Sequence, residues 1–119
     1  MLAEAYRNVR KVYLAVGYTD LRKGIDGLAQ IVGTRYDLNP FDKDVLFLFC
    51  GKRRDRIKGL IWEGTGFLLL YKRLEDGVFL WPRSVEEAAE LTEEQYRFLM
   101  DGLDPMPRRI REVQPKKLV

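Results

Sequence analysis

The sequence contains no histidine and only one cysteine, Cys50. Serine–histidine and cysteine–histidine catalysis are excluded, because both need an imidazole base. A zinc site built from cysteine and histidine needs three or four such ligands, so that class of site is excluded as well. Cys50 has no partner for a disulfide within the chain. The remaining options are carboxylate or lysine chemistry, magnesium held by carboxylates, or no chemistry at all.

Long apolar segments are also missing from the chain. The two longest apolar runs, Val12–Tyr18 and Val45–Gly51, have seven residues each, whereas a membrane-spanning helix needs about 18 or more. The first run is followed by Asp20, Arg22 and Lys23 rather than by a cleavage site of small residues, which argues against a signal peptide. We therefore predict a soluble, cytoplasmic protein that makes no membrane contact.

The length and the charge distribution predict one domain with a basic tail. Of the 119 residues, 46% are apolar and 33% are charged, as is typical of a globular chain. We predict a single domain over residues 1–104 and a flexible basic tail over residues 105–119, which include three prolines. Residues 52–83 carry eight basic and four acidic side chains, whereas residues 84–104 carry one basic and seven acidic. This distribution suits an anionic partner on one side of the molecule.

The pattern of apolar residues predicts a strand followed by a helix. Val12–Val16 is rich in β-branched and aromatic residues, as is typical of a strand. Apolar residues then recur at helical spacing over Leu21–Val32. Thr19 or Asp20 is expected to cap the start of this helix, and Gly33 is expected to end it.

Further strands and helices are predicted after this first pair. The predicted strands are Val45–Cys50, Arg56–Glu63, Phe67–Arg73 and Val78–Trp81. Their connections are too short for parallel crossovers, so consecutive strands are expected to be antiparallel. Capping boxes that begin at Ser84 and Thr92 predict two short C-terminal helices. The predicted fold class is α+β: an antiparallel β-meander of four to five strands, with one helix after the first strand and two short C-terminal helices.

The turn at residues 52–58 is the strongest candidate for a binding site. It contains five cations within seven residues, and these can reach several phosphates of a nucleic acid. Aromatic residues interleave with cations on the neighbouring strands, and Tyr71 can stack a base there. Trp62 and Trp81 are expected in the core instead. The alternative interpretation of the turn is a solvated hairpin tip without a ligand.

Arg22 and Lys23 form a second basic cluster at the predicted start of the first helix. Cations at this position oppose the helix dipole. They are explained either by a bound anion or by a salt bridge to a nearby acid such as Asp20 or Asp26. The candidate nucleic-acid-binding residues are the cations of both clusters and of the adjacent strands: Arg22, Lys23, Lys52, Arg53, Arg54, Arg56, Lys58, Lys72, Arg73 and Arg83.

The acidic residues do not match a metal-dependent nuclease. Such enzymes often pair an aspartate with an acid that is followed two residues later by a lysine, so that two carboxylates share one metal ion. Asp55 and Lys58 have the wrong spacing for this arrangement, and Glu63 has no lysine two residues after it. We therefore predict no catalytic residue, no metal ligand and no cofactor.

Several motifs together resemble a known protein family. The motifs are TDLRKGIDGL at 19–28, NPF at 39–41, KRRDRIK at 52–58, WEGTGF at 62–67, YKRLE at 71–75, FLWP at 79–82, LTEEQ at 91–95 and DGLD at 101–104. In this combination they resemble the small TnpB accessory proteins of IS66-type bacterial insertion sequences, which are distinct from the RNA-guided nuclease of the same name. Leu21, Gly59 and Glu63 stand where the family pattern leads us to expect methionine, a larger apolar residue and aspartate.

This resemblance implies a role in transposition beside a separate, larger transposase, and it implies no catalytic residue or cofactor. From the residues themselves we predict a DNA-binding accessory protein whose basic turn and sheet face contact the element ends. The acidic helices predicted within residues 84–104 would face a protein partner, either the transposase or another element-encoded protein. A protein-only assembly factor without nucleic-acid contact is the main alternative, and a nuclease is the weaker one.

Overall fold

The computed structural model describes residues 9–82 and 88–100. The strands are β1 (Lys11–Ala15), β2 (Val45–Cys50), β3 (Arg56–Trp62), β4 (Phe67–Arg73) and β5 (Ala88–Leu91), and the helices are α1 (Ile25–Thr34) and α2 (Glu93–Met100). The predicted tail at residues 105–119 and the predicted domain boundary at residue 104 lie outside the described residues. Within the described part of the chain, neither helix is long and apolar enough to cross a membrane.

The five strands form one mixed sheet in the order β4-β3-β2-β1-β5. The predicted meander of β2, β3 and β4 is confirmed, because both pairs are antiparallel. The prediction of a wholly antiparallel sheet is wrong, because β1 pairs in parallel with β2. The segment between these two strands contains α1 and is long enough for a parallel crossover, whereas the short turns further along the chain are not.

The fifth strand is not where the sequence predicts it. Residues 78–81 are irregular, although Phe79 and Trp81 are buried and their neighbours Val78 and Leu80 are exposed. This alternation of buried and exposed residues resembles that of a strand, but the segment is not one of the paired strands of the sheet. The pairing partner of β1 is instead β5, an antiparallel strand within a segment that was predicted to be helical. The edge of β1 offers ladder hydrogen bonds to β5, and such tertiary pairing overrides the weak local preference for a helix.

Of the two predicted capping boxes, the second is confirmed. The Thr92 N–H donates to Gln95 Oε1 at 2.8 Å, and the Gln95 N–H donates to Thr92 Oγ1 at 3.1 Å. This reciprocal pair starts α2 as predicted. The first box, at Ser84, lies outside the described residues, but the residues that follow it form β5 rather than a helix.

Helix α1 begins four residues later than predicted. Its N-cap is Gly24, which has no side chain to cap the helix. Asp20 accepts a hydrogen bond from the Arg22 N–H at 3.0 Å, so its carboxylate organises a local turn rather than a helix start. Gly33 lies inside the helix and does not end it. The residues before α1 thus form a loop that extends beyond the end of β1.

The sheet is covered on both faces, which accounts for the continuous apolar run of β2. All six β2 residues are buried, as predicted for a strand that packs on two sides. On one face, Leu28 and Val32 of α1 pack against Phe47 and Phe49. On the other face, the second core cluster contains residues of the 79–81 segment and of α2, together with β1, β2 and β3 residues.

Candidate nucleic-acid interface

The two basic segments meet at one end of the sheet. Strands β1 and β2 are parallel, so the loop at residues 16–24 and the turn at residues 51–55 both extend from their carboxyl ends. Between them lies a groove with a volume of about 740 Å³. Open sheets of this kind commonly bind ligands beyond the carboxyl ends of their parallel strands. The groove is lined by apolar and aromatic residues and by cations, namely Tyr18, Thr19, Asp20, Leu21, Arg22, Gly51, Lys52, Arg53, Arg56, Lys58, Leu69 and Tyr71.

The basic turn is held by backbone hydrogen bonds to neighbouring segments. The carbonyl oxygen of Arg54 accepts from the Phe79 N–H at 2.7 Å, and that of Asp55 accepts from the Leu74 N–H at 2.7 Å. On its other side, the Thr19 N–H donates to the Cys50 carbonyl at 2.8 Å. Arg54 has a φ of 64°, a left-handed conformation that tight turns require. The turn therefore has a defined backbone shape and does not depend on a ligand for it.

Gly51 allows the loop to lie close to the basic turn. A Cβ atom at this position would lie 3.2 Å from Leu21 Cδ1, which is closer than ordinary van der Waals contact. Leu21 therefore packs directly over the glycine, and a larger residue would require the Leu21 side chain to shift by a few tenths of an ångström. Gly51 is itself buried.

Arg22 has a close acidic partner and remains exposed. Its Nη2 atom lies 2.8 Å from Asp20 Oδ2, while its side chain is 91% exposed. Hydrogen bonds from the Arg22 side chain and backbone lower the pKa of Asp20 to about 2. The salt bridge considered in the sequence analysis is therefore present, and it leaves the guanidinium accessible at the rim of the groove.

The other cations of the groove have varied surroundings. Arg56 Nε lies 3.1 Å from Asp55 Oδ1, and this hydrogen bond lowers the pKa of Asp55 and raises that of Arg56. Lys58 Nζ donates to the backbone carbonyl of Lys23 at 3.1 Å, which ties β3 to the loop before α1. Lys52 Nζ lies 5.9 Å from the centroid of the Tyr18 ring, within the range of a cation–π contact.

The similarity of the chain to known proteins agrees with the motifs it carries. A model of the IS66 Orf2-like proteins matches residues 10–109. The chain belongs to this family. It is 34% identical over 94 residues to the uncharacterized protein y4jC of Sinorhizobium fredii, covering 79% of this chain and 80% of that protein. It is 38% identical over 98 residues to the uncharacterized protein y4hO of the same organism, covering 82% and 84%. No solved structure shows significant similarity to the chain.

Membership in the IS66 Orf2-like family confirms the resemblance and the coarser part of the functional interpretation. The protein is an accessory protein of an insertion sequence. The positions of the candidate residues in the structure indicate what the protein could contact.

Five of the ten candidate cations of this family member come together in the groove. They are Arg22, Lys52, Arg53, Arg56 and Lys58. The side chain of Lys23 does not line the groove and instead lies beside Gly27, although its carbonyl accepts from Lys58. Arg54 also lies outside the lining of the groove, and its backbone anchors the turn.

The candidate cations of β4 are not part of the groove. Lys72 is paired with Ile57, which belongs to the core on the α2 side of the sheet. Because side chains alternate along a strand, Lys72 lies on the opposite face from Tyr71. Arg73 is on the Tyr71 face, where its Nε lies 2.9 Å from Glu75 Oε2. Arg83 lies outside the described residues.

The two tryptophans do not contribute to the groove. Trp81 is 5% exposed, and its Nε1 donates to the Ala15 carbonyl at 2.9 Å, so its predicted place in the core is confirmed. Trp62 was also expected in the core, but it is only half-buried and belongs to neither core cluster. It lies at the far end of β3, where its ring centroid is 4.9 Å from that of Phe67. The aromatic residues of the groove are Tyr71 and Tyr18, and sequence reasoning missed Tyr18. The signal that could have found it is its position just after β1, which becomes informative only once β1 is known to be parallel to β2.

The acidic residues of the groove do not form a metal site. Among residues 9–82 and 88–100, no group of three or more cysteine or acidic side chains is placed to hold a metal ion. Asp55 and Glu63 flank the seven residues of β3, so at about 3.3 Å per residue they lie more than roughly 20 Å apart. They are too distant to share a metal ion.

Proposed function

We propose that this insertion-sequence protein is a non-catalytic DNA-binding subunit that acts with a separate transposase. The observation that carries the proposal is the convergence of five cations from two distant chain segments on one groove. A loop, a turn and a strand contribute these cations, and a DNA backbone presents phosphates at a spacing of a few ångströms. The groove thus offers several contacts to one strand.

The rigidity of the turn favours this proposal over a solvated hairpin tip. Backbone hydrogen bonds connect the turn to residues Leu74 and Phe79, and the Lys58 ammonium group connects the underlying strand to the loop before α1. Charges whose backbone is already fixed lose less conformational entropy when a ligand binds. A purely solvated tip would not need these connections.

The local acids reduce the positive charge of the groove without cancelling it. Asp20 is the one carboxylate among the lining residues, and Asp55 pairs with Arg56 at the edge. The Arg22–Asp20 pair is exposed and separates easily, because surface ion pairs contribute little stability, whereas the Arg56–Asp55 pair is partly buried. A phosphate can therefore replace Asp20 as the partner of Arg22.

The proposed protein partner would bind the opposite side of the molecule. In α2, the apolar residues Tyr96, Leu99 and Met100 are buried in the core. Glu93 and Glu94 are consequently exposed. This acidic surface supports the proposal that the transposase or another element-encoded protein docks there while the basic groove holds DNA.

A salt-titrated binding measurement on the unmodified protein tests the proposal. Fluorescence anisotropy with DNA from the element ends and with unrelated DNA should give an affinity that falls linearly on a double-logarithmic plot against salt. The slope should be about 0.9 per contacted duplex phosphate, and both DNAs should show it because phosphate contacts carry no sequence information. A protein-only assembly factor would bind neither DNA even at low salt, and that result would exclude the proposal.

A further inference from the structure

Two exposed tyrosines lie in the groove beside its cations. The residues Tyr18 and Tyr71 are 54% and 52% exposed, and they come from the loop after β1 and from β4. Each has a cation next to it. Lys52 Nζ lies 5.9 Å from the Tyr18 ring centroid, and Lys58 is the direct cross-strand partner of Tyr71. The groove therefore places an aromatic ring and a positive charge side by side at two positions.

Phosphate contacts alone do not account for this lining. Leu21 and Leu69 also line the groove, whereas a phosphate needs only cations and N–H donors. Most apolar side chains of the described residues are buried in the two core clusters or packed against them, but Tyr18 and Tyr71 belong to neither. Exposed aromatic rings beside cations are typical of a site for a ligand with an apolar part.

Single-stranded nucleic acid has both properties that this lining matches. A duplex presents phosphates to a protein surface but keeps the faces of its bases stacked inside the helix. An unpaired base exposes its face and can stack on an aromatic side chain, while the adjacent phosphates contact cations along the same groove. Such stacking tolerates any sequence, because every base has an aromatic face.

We propose that the groove binds single-stranded DNA by stacking unpaired bases on Tyr18 and Tyr71. Lys52, Arg53 and Arg56 would contact the phosphates that flank these bases. This inference rests on the proposed function and narrows it from DNA in general to DNA with unpaired bases. In this proposal the tyrosines make the groove prefer single-stranded over duplex DNA, and the cations make the affinity for DNA depend on salt.

The test compares one oligonucleotide as a single strand and as a duplex. Anisotropy at matched salt should show that the single strand binds more tightly. Tyr18→Ala and Tyr71→Ala should each weaken single-strand binding by about fivefold to 150-fold, which corresponds to the loss of one stacked base. The salt slope should stay unchanged in both variants, because an uncharged ring releases no counterions. Tyr18→Phe and Tyr71→Phe keep the ring and should bind as the unmodified protein does.

Phe41→Ala is the matched control. Phe41 is 55% exposed, but it lies with Trp62 and Phe67 away from the groove, so its loss should not change the affinity for either form. Duplex binding as tight as single-strand binding, or tyrosine variants that behave like this control, would overturn the inference and leave the proposed function intact. Absence of binding to both forms would overturn the two proposals together.

Discussion

The variant in which alanine replaces Arg22, Lys52 and Arg53 is expected to lose most of its affinity for DNA. Hydrogen bonds to charged groups contribute about 1.5–3 kcal/mol each, so the loss of three phosphate contacts should lower the affinity by roughly three orders of magnitude or more at low salt. The slope of log affinity against log salt should flatten by about 2.7 for a duplex, since each lost contact removes about 0.9. Salt-titrated fluorescence anisotropy measures both quantities.

A control variant with the same change in net charge distinguishes the loss of specific phosphate contacts in the groove from a general loss of positive charge. Arg10, Lys43 and Arg97 are exposed and lie outside the groove, so their replacement by alanine also removes three positive charges. This control should keep most of the salt slope and most of the affinity. Both variants should remain as stable as the unmodified protein to within about 0.5 kcal/mol, as is usual for surface substitutions. Equal effects of the two variants would mean that the groove is not the binding site.

Phe79→Ala is expected to have the largest effect on stability. Phe79 is fully buried, although it lies in an irregular segment, and its backbone N–H donates to the carbonyl of Arg54 in the basic turn. Removing a buried phenylalanine costs about 3–5 kcal/mol, which is a large part of the 5–15 kcal/mol that is typical of such a domain. Urea denaturation followed by circular dichroism measures this difference in the free energy of unfolding.

Leu80→Ala is the control for this substitution. Leu80 is the next residue and is 42% exposed, so less of its apolar surface is removed from water in the folded state. Its replacement should cost well below 2 kcal/mol, which is the lower end for a buried leucine. If both substitutions cost the same, the burial of the 79–81 segment against the sheet is incorrect.

The antiparallel part of the sheet could be predicted from the sequence because its turns are short. Strands β2 and β4 have the predicted bounds, and β3 ends one residue earlier than predicted, at Trp62. A connection of four or five residues permits only one relative direction, so local information is sufficient there. The capping box at Thr92 was predictable for a similar reason, because donor and acceptor lie within one turn of the same helix.

The position of β1 and the identity of β5 could not be predicted in this way. The segment between β1 and β2 is long enough for either direction, so its length alone does not select the parallel one. At Ala88–Leu91, a short segment with helix-favouring alanine and glutamate forms a strand because the edge of β1 offers it hydrogen bonds. The direction of β1 and the strand conformation of β5 therefore depend on tertiary contacts and not on local preference.

Only part of the candidate site could be predicted from the sequence, because some of its residues are brought together by tertiary contacts. The cations of the basic turn are adjacent in the chain, so their clustering follows directly from the sequence. Tyr18 joins them only because β1 and β2 are parallel neighbours. Lys72 lies apart from them, since its place on the opposite face of β4 depends on the pairing of that strand with β3.

The most direct test of the account is to map the DNA contact on the protein itself. In a titration of ¹⁵N-labelled protein with DNA, we expect the largest amide shift changes in residues 18–22 and 51–58, with little change at residues 41–44 and 62–67 at the other end of the sheet. The largest changes at that other end or on α2, or changes spread evenly over the described residues, would contradict the assignment of the groove as the DNA-binding site.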